Sequence, residues 1–228
     1  MQGSMIEFAS PSGSGTTPGY LSLTETGSGP GLVLIQEWWG LVDHIKILAD
    51  RFAAAGFVTL APDLYHGDTA RSPDQAQKML MALDIDRAGN EIHAAANHLL
   101  AMPQVRPNKI GVIGFCMGGQ LALYAATEYP DAIAACVDFY GIHPNVNIDA
   151  TKLQVPVLAH FGNTDALVTN GTAPALMQKF SDAGKFVDTY YYDAGHAFFN
   201  DTRPEAYNAD AASLAWDRTL AFLRDNLR

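Results

Sequence analysis

The chain has 228 residues, of which 48% are hydrophobic and 17% are charged, a balance that excludes intrinsic disorder and suits a domain with a substantial core. Its net charge of −10 argues against a nucleic-acid partner, because binding to a phosphate backbone needs clustered lysine and arginine. No stretch approaches the roughly 18 apolar residues that span a bilayer, so no membrane partner is expected.

The start of the chain and its cysteines favour a cytoplasmic protein. The stretch from Met1 to Met5 lacks the basic region and the apolar run of a signal peptide. A reducing compartment disfavours a disulfide between Cys116 and Cys136, so both are predicted to be free thiols. Because no repeat, low-complexity tract or linker-like change in composition interrupts the sequence, residues 1–228 are expected to form a single domain.

The predicted elements alternate between apolar strands and amphipathic helices, which indicates an α/β fold with a mostly parallel sheet covered on both faces. Residues 32–35 are continuously apolar, as in a strand buried on both faces, and Ser72 with Pro73 forms a helix start. In chain order the sequence predicts weak strands at 5–9 and 19–25 separated by turns, a strand at 32–35, a helix at 43–55, a strand at 57–61, helices from 72 and at 84–102, a strand at 110–114, a helix ending near 129, strands at 132–139 and 155–161, a helix at 174–183, a strand at 189–192 and a helix at 205–226.

The strongest functional motif is Gly-Phe-Cys-Met-Gly-Gly at residues 114–119, between a buried strand and a helix. A nucleophile on such a strained turn needs neighbours without side chains two positions before and after it. The helix N-terminus favours a thiolate at Cys116, and the N–H of Met117 points to where an oxyanion would form. The alternative is a structural cysteine beside glycines that ease helix packing. Cys136, in the middle of an apolar strand, is predicted to be inert.

Two later residues complete a candidate catalytic triad. Asp165 follows the strand at 155–161, and His196 follows the strand at 189–192. An α/β-hydrolase supplies nucleophile, acid and histidine in this chain order, and the acid orients the histidine and stabilises its cation. Taken singly, a loop aspartate is usually a turn or cap residue. Asp193 is an alternative acid, but it shares the loop of His196.

No metal site and no cofactor are predicted. His93 and His98 lie five residues apart on a helix, about 140° around its axis, so they cannot share a metal ion as an i, i+4 pair could. His160 lies within a strand and is expected to be structural. No cluster of histidine, cysteine and carboxylate residues has the spacing of metal ligands.

Glu37 is a further candidate for the site. It leaves a buried strand and is followed by Trp38 and Trp39, which is an unusual place for a carboxylate that serves solubility alone. The corresponding loop of an α/β-hydrolase lends a backbone N–H to the oxyanion hole, and we assign this role to Trp38. The alternative is that Glu37 caps the helix that begins near Asp43.

These motifs closely resemble the dienelactone hydrolase family, whose founding activity is carboxymethylenebutenolidase. They run in the family's order across nearly the whole chain, and a cysteine elbow combined with Gln36-Glu37 is a specific pairing. The resemblance implies an α/β-hydrolase fold with a sheet of seven or eight strands, a monomer or weak dimer, and a small ester or lactone substrate. The matching pieces are Gln36-Glu37 with Gly40, Pro62-Asp63-Leu64-Tyr65, residues 114–119, Phe139-Tyr140-Gly141, residues 162–165 and Gly195-His196.

The resemblance also implies a catalytic cycle. Substrate binding helps Glu37 to take the thiol proton, so that the nucleophile is charged only when it is needed and is otherwise protected from oxidation. The Cys116 thiolate then attacks the ester carbonyl, and the N–H groups of Trp38 and Met117 hold the oxyanion. After the leaving enolate departs, a water activated by His196 cleaves the thioester.

The substrate pocket departs from the family pattern. The founding enzymes bind the lactone carboxylate with arginines, one of them four residues after the catalytic histidine, where this chain has Asn200. Arg203 follows shortly after, and Arg71 lies near the region of the other arginine. Losing a bidentate carboxylate partner is expected to change substrate preference. Five residues are predicted to line the pocket: Trp39, Tyr65, Arg71, Tyr140 and Phe198. The four aromatic residues among them are of a kind that is also common in protein cores.

Three functions therefore stay open. The first is a hydrolase of a dienelactone-like lactone or ester that uses a Cys-Asp-His triad and a thioester intermediate. The second is a general carboxylesterase or thioesterase that acts on uncharged substrates. The third is a protein that keeps the hydrolase fold but uses Cys116 as a redox sensor without turnover.

Overall fold

The computed structural model describes residues 2–10 and 15–228, whose strands form one eight-stranded sheet in the order β1-β2-β4-β3-β5-β6-β7-β8. The strands are β1 (Ser4–Ala9), β2 (Thr16–Ser22), β3 (Gly29–Ile35), β4 (Val58–Pro62), β5 (Val105–Phe115), β6 (Ala135–Phe139), β7 (Val157–Gly162) and β8 (Val187–Tyr192). The helices are α1 (Asp43–Ala54), α2 (Pro73–Ala82), α3 (Ile85–Ala101), α4 (Met117–Glu128), α5 (Ala166–Thr169), α6 (Thr172–Asp182) and α7 (Ala209–Asn226), with a 3-10 turn at Ala150–Lys152.

The sheet is antiparallel at one edge and parallel elsewhere. Strand β2 pairs antiparallel with both β1 and β4, whereas every pair from β4 through β3 and β5 to β8 is parallel. The predicted α/β class and the mostly parallel sheet of seven or eight strands are therefore confirmed, with eight strands. The turn predicted between the first two strands includes residues 11–14, which lie outside the described residues.

The central strands are buried on both faces, as their continuous apolar runs predict. Val33 packs in a core with Ile92 of α3, whereas its neighbour Leu34 packs on the opposite face in a core with Phe52 of α1 and Leu223 of α7. Successive side chains of a strand point to opposite faces, so one run of apolar residues supplies both cores. The two cores hold the strands in place, and the candidate functional residues follow the ends of the strands.

Capping residues and turns explain where element bounds differ from the prediction. The last helix begins at Ala209 rather than 205, because the side chain of Asn208 accepts a hydrogen bond from the Ala211 N–H and caps it there. Strand β6 begins at Ala135 rather than 132. The N–H groups of Ala132 and Ile133 both bond to the Tyr129 carbonyl, so this apolar stretch continues a turn.

The topology brings four functional segments to one edge of the sheet. Strands β3, β5, β7 and β8 run parallel, so their carboxyl ends lie on the same side. Glu37, Cys116, Asp165 and His196 each follow one of these ends. Ligands of open α/β sheets bind in the crevice at this edge.

Candidate active site

Cys116 occupies a sharp turn between β5 and α4. Its backbone has φ 54° and ψ −123°, a conformation that L residues rarely adopt and that is characteristic of strained functional turns. A Cβ atom at Gly114 would overlap the carbonyl oxygen of Gly118, so the close approach of β5 to α4 depends on glycine at this position. The Cys116 N–H donates to the Phe139 carbonyl at 3.0 Å and fixes the turn to β6.

Asp165 and His196 are paired as an acid and a base. The distance from His196 Nδ1 to Asp165 Oδ2 is 2.7 Å, and the carboxylate is buried. Its other oxygen, Oδ1, accepts from the Leu167 N–H at 2.9 Å, so Asp165 also caps the short helix α5. The fold thus holds the carboxylate rigidly while it orients the imidazole.

The electrostatics of His196 favour its protonated form. Partial burial opposes the positive charge, but hydrogen bonds to Asp165 and Cys116, together with their negative charges, raise the pKa of His196 to about 10. A protonated histidine between a thiol and a carboxylate stabilises a thiolate and can donate a proton to a leaving group. The three triad residues predicted from the sequence therefore come together in one arrangement.

The two backbone N–H groups expected to hold an oxyanion belong to Met117 and Trp38. Met117 is the first residue of α4, where the helix dipole is positive and the N–H groups lack helical partners. On the opposite loop, the Gly40 N–H donates to the Glu37 carbonyl at 3.2 Å, and this turn leaves the Trp38 N–H without a partner among the described residues. The sequence predicts these same two groups.

Glu37 is buried beside the nucleophile loop. Burial raises the pKa of its carboxyl, and Asn200 Nδ2 donates to Oε2 at 2.9 Å. Oε1 has no hydrogen-bond partner of good geometry among the described residues. The Tyr140 hydroxyl is its neighbour, because burial and then the charge and hydrogen bonding of Glu37 raise the pKa of Tyr140 well above its usual value. Helix α1 has Val42 at its N-cap and no side-chain cap, which rules out the capping alternative for Glu37.

Asn200 therefore acts on Glu37 in this structure. It occupies the position where the sequence resemblance expects an arginine for the substrate, and its side chain is 2% exposed. The partners lie 163 residues apart in the chain, so no local pattern could have revealed the contact. A neutral amide stabilises the carboxylate through one hydrogen bond but supplies no opposite charge.

A cavity of about 510 Å³ opens over these residues. Of the five side chains predicted to line a substrate pocket, Trp39 lines this cavity and the other four do not. Its lining consists of Glu37, Trp38, Trp39, Gln77, Leu80, Cys116, Ile142, Pro144, Thr164, Asp165, Ala166, Leu167, His196, Ala197 and Arg203.

The four residues outside the lining have other contacts. Tyr140 and Phe198 are fully buried below the site, where the Tyr140 ring lies 5.0 Å from the His196 ring. The Tyr65 hydroxyl donates to Met117 Sδ at 3.2 Å, behind the oxyanion loop. Arg71 is exposed on the loop before α2. The sequence missed Gln77 and Leu80, which lie three apart on α2 and so share a helix face.

Arg203 is the one lysine or arginine among the residues that line the cavity. Its guanidinium lies 5.3 Å from the centre of the Trp39 ring. Its Nε and Nη2 atoms lie 2.9 Å and 2.8 Å from Glu205 Oε1, so one edge of the cation already faces a carboxylate. The charge that the cavity presents to a substrate is therefore partly neutralised.

The described residues contain neither a grouping of metal ligands nor a helix that could span a membrane. Over residues 2–10 and 15–228, no three histidine, cysteine, aspartate or glutamate side chains are grouped as metal ligands would be. None of the helices in the same ranges combines the length and the apolar character needed to cross a bilayer.

Comparison with known proteins gives the family. Residues 18–227 match the model of the dienelactone hydrolase family. The chain is 36% identical to "Protein usf" of Aquifex pyrophilus, covering 99% of each chain. It is 26% identical to "Carboxymethylenebutenolidase 1" of Cupriavidus pinatubonensis, covering 96% of this chain and 95% of that one.

A solved structure agrees with these relatives. The structure of a dienelactone hydrolase-like promiscuous phosphotriesterase from metagenomic libraries is 27% identical, covers all of both chains and has a TM-score of 0.86. The chain therefore belongs to the dienelactone hydrolase family and is a hydrolase of lactone or ester bonds.

Proposed function

We propose that the protein cleaves a small ester or lactone with Cys116 as nucleophile, His196 as base and Asp165 as its orienting acid. The observation that carries this proposal is the strained turn that presents Cys116 to a cavity shared with His196, whose imidazole is held by Asp165 at 2.7 Å. Nucleophile, base and orienter are the three roles that covalent catalysis requires.

The proposed reaction has two halves. The Cys116 thiolate attacks the carbonyl carbon, and the tetrahedral oxyanion accepts hydrogen bonds from Trp38 and Met117. As the C–O bond breaks, the leaving oxygen takes a proton from His196, and a thioester remains on Cys116. A water that gives its proton to His196 then attacks the thioester, which releases the acid and the Cys116 thiolate, and Glu37 returns the thiol proton to the thiolate.

Glu37 has a proposed role in the first half. Its Oε1 atom lacks a hydrogen-bond partner of good geometry in the described structure, and the residue lines the same cavity as Cys116. Because burial raises the pKa of this carboxyl, an ionised Glu37 is a stronger base than an exposed glutamate. We assign it the thiol proton when substrate displaces water from the cavity.

An uncharged ester is the second candidate substrate. The pairing of Arg203 with Glu205 favours it, because a substrate carboxylate would have to share this guanidinium. Asn200 adds no positive charge, and it is already engaged by Glu37. The similar metagenomic structure is called a phosphotriesterase, and a triester likewise carries no ionised oxygen. A panel containing a carboxylated dienelactone and a neutral aryl ester separates the two candidates.

The decisive experiment combines turnover with trapping of the intermediate. Wild type, Cys116→Ala and His196→Ala are assayed on that panel, and rapid-quench mass spectrometry measures an acyl adduct on Cys116. We expect both variants to lose at least about 1000-fold in kcat/KM, and His196→Ala to accumulate the adduct. Near-full activity in either folded variant would refute the triad. Rapid alkylation of Cys116 in a wild type that turns over nothing on the panel would favour the redox-sensor reading.

A further inference from the structure

His143 is a buried imidazole that the proposed cycle does not use. It lies in the loop after β6, and its side chain is 1% exposed. Its neighbours Ile142 and Pro144 both line the cavity, whereas His143 itself does not. A buried imidazole needs a partner for each ring nitrogen, because an unpaired buried polar atom is costly. The two partners of this ring show what it holds together.

These partners fix the state of the His143 ring. The Asn145 N–H donates to Nδ1 at 3.1 Å, so this nitrogen is an acceptor and carries no proton. Nε2 lies 3.1 Å from the carbonyl oxygen of Leu80, which can only accept, so Nε2 carries the proton and donates it. Burial lowers the pKa of His143 against a smaller, opposite effect of the Leu80 carbonyl, which favours the neutral ring. The imidazole thus bridges its own loop and helix α2.

The nucleophile helix holds the loop end of this bridge. Gln120 lies in α4, four residues after Cys116. Its Oε1 accepts from the His143 N–H at 2.5 Å, and its Nε2 donates to the Val146 carbonyl at 2.9 Å. The Ile142 N–H also donates to the Cys116 carbonyl at 3.2 Å. The position of the loop is therefore set by the helix that carries the nucleophile.

Helix α2, at the other end of the bridge, lies mostly on the surface. Ala76 and Leu80 are its buried residues. The hydrogen bonds of Gln75 lead to residues 69–72, just before the helix. The bond from His143 instead joins residues 63 apart in the chain and ends on a carbonyl in the last turn of α2, where helical partners run out. It fixes Leu80, a cavity residue, relative to the loop.

We propose that His143 is a positioning residue that holds Leu80 beside Ile142 and Pro144, and that these three apolar side chains bind an uncharged apolar group of the ester. The inference rests on the proposed function and adds a selection by the size of that group. Apolar surface removed from water stabilises a complex in proportion to its area, so wild type should bind a longer ester more tightly than a short one. Loss of the bridge should weaken this preference.

Two amide variants separate the two bonds of the ring. His143→Asn keeps an acceptor near the position of Nδ1 for the Asn145 N–H but is too short to reach Leu80. His143→Gln can place an amide N–H near the position of Nε2 and so donate to Leu80. His98→Asn is the matched control, because it changes a partly buried histidine of α3 outside the cavity lining.

The assay measures KM and kcat on two pairs of uncharged esters. Phenyl acetate and phenyl hexanoate vary the acyl group, and ethyl acetate and hexyl acetate vary the alcohol. In at least one pair, His143→Asn should raise KM for the longer ester about fivefold, within the range of one hydrogen bond, and leave KM for the shorter ester and both kcat values unchanged. His143→Gln and His98→Asn should behave as wild type does.

A general structural role would give a different result. If folded His143→Asn lost kcat or gained KM by one factor for all four esters, or matched wild type on all of them, the inference would be overturned. The Kd values of the same esters are measured in Cys116→Ala and in the double variant with His143→Asn. A selective loss of binding there, with no turnover by wild type, would support the inference and refute the proposed function. Turnover with unchanged selectivity would do the reverse.

A folding failure of His143→Asn would leave two further tests. His143→Ser also cannot reach Leu80 and should show the same selective rise in KM. In wild type, ¹⁵N NMR at pH 7 should show a protonated Nε2 and an unprotonated Nδ1, with the ring assigned through its own Cβ atom. A proton on Nδ1, or a charged ring at this pH, would overturn the bridge to Leu80 and with it the inference.

Discussion

The Glu37 carboxylate is buried, so its negative charge is unfavourable in the folded protein. It is 2% exposed, Asn200 Nδ2 donates to Oε2, and Oε1 has no hydrogen-bond partner of good geometry among the described residues. Such an arrangement destabilises the folded state at any pH where the group is ionised. A polar group kept under these conditions is typical of active sites, where function and stability conflict.

Replacing Glu37 by glutamine should therefore stabilise the protein while it slows acylation. The folded pKa of Glu37 is raised above its ordinary 4.5, so wild type loses stability as the pH rises through this range. We expect Glu37→Gln to gain about 1 kcal/mol at pH 7 and little below pH 4.5. Urea unfolding at both pH values measures this gain. The same change at the exposed Glu7 is the control, and equal stability of Glu37→Gln and wild type at pH 7 would contradict the prediction.

Arg203 and Glu205 should set the preference for charged substrates. Glu205→Gln removes the carboxylate that pairs with the Arg203 guanidinium. The KM for a carboxylated dienelactone should therefore fall about threefold, which corresponds to the free energy of an exposed ion pair. The KM for a neutral aryl ester should stay constant. Arg203→Met should raise the first KM and spare the second. Arg71→Gln, outside the cavity, is the matched control. Parallel changes for both substrates would show that the pair does not recognise charge.

At this scale the sequence predicted the residues that have a motif and missed those defined by distant contacts. Cys116, Asp165 and His196 follow from glycine spacing and chain order. Asn200 departs from the family pattern, but its contact with Glu37 depends on the tertiary fold.

Helix α4 and strand β5 meet so closely that the elbow depends on its glycines. A Cβ atom at Gly114 would overlap the Gly118 carbonyl, and one at Gly118 would lie 2.5 Å from the Gln36 carbonyl oxygen. Backbone atoms of packed elements cannot move aside as a flexible side chain can. The glycines therefore set the distance between the helix and the sheet, and with it the position of the Cys116 turn.

Gly114→Ala should destabilise the protein by about 3 kcal/mol, at the upper end of overpacking effects, and should lower activity in the fraction that stays folded. Gly195→Ala is a suitable control, because its Cβ would meet only Thr164 Oγ1 at 3.8 Å. Thermal unfolding of the two variants provides the comparison. A Gly114→Ala protein as stable as Gly195→Ala would mean that the helix can shift away from the sheet.

The elements themselves were more predictable than the surface they build. Periodicity gave the alternation of strands and helices, because burial on one or two faces leaves a direct pattern. Helix α5 was not predicted, since its four residues carry too little periodicity and its start depends on Asp165 as a cap. The contribution of α2 to the cavity was also missed, because it depends on how the helix folds over the sheet edge.

The two free thiols lie at different depths in the molecule. Cys116 is half-buried at the sheet edge and lines the cavity, whereas Cys136 is fully buried in β6. Burial raises the pKa of the Cys136 thiol well above its ordinary value, so it stays protonated and unreactive in the folded protein. Its exposure requires separation of the central strands, because β6 lies between β5 and β7.

Thiol labelling should therefore test the expectation that residues 1–228 unfold as one domain. In buffer at pH 7.5, one equivalent of iodoacetamide should react with wild type and none with Cys116→Ala, while Cys136→Ala keeps the reaction of wild type. As urea increases, labelling of Cys136 in the Cys116→Ala variant should follow the loss of helical circular dichroism, because cooperative unfolding gives coincident transitions. Labelling of Cys136 well before that loss would show that part of the sheet opens independently of the rest.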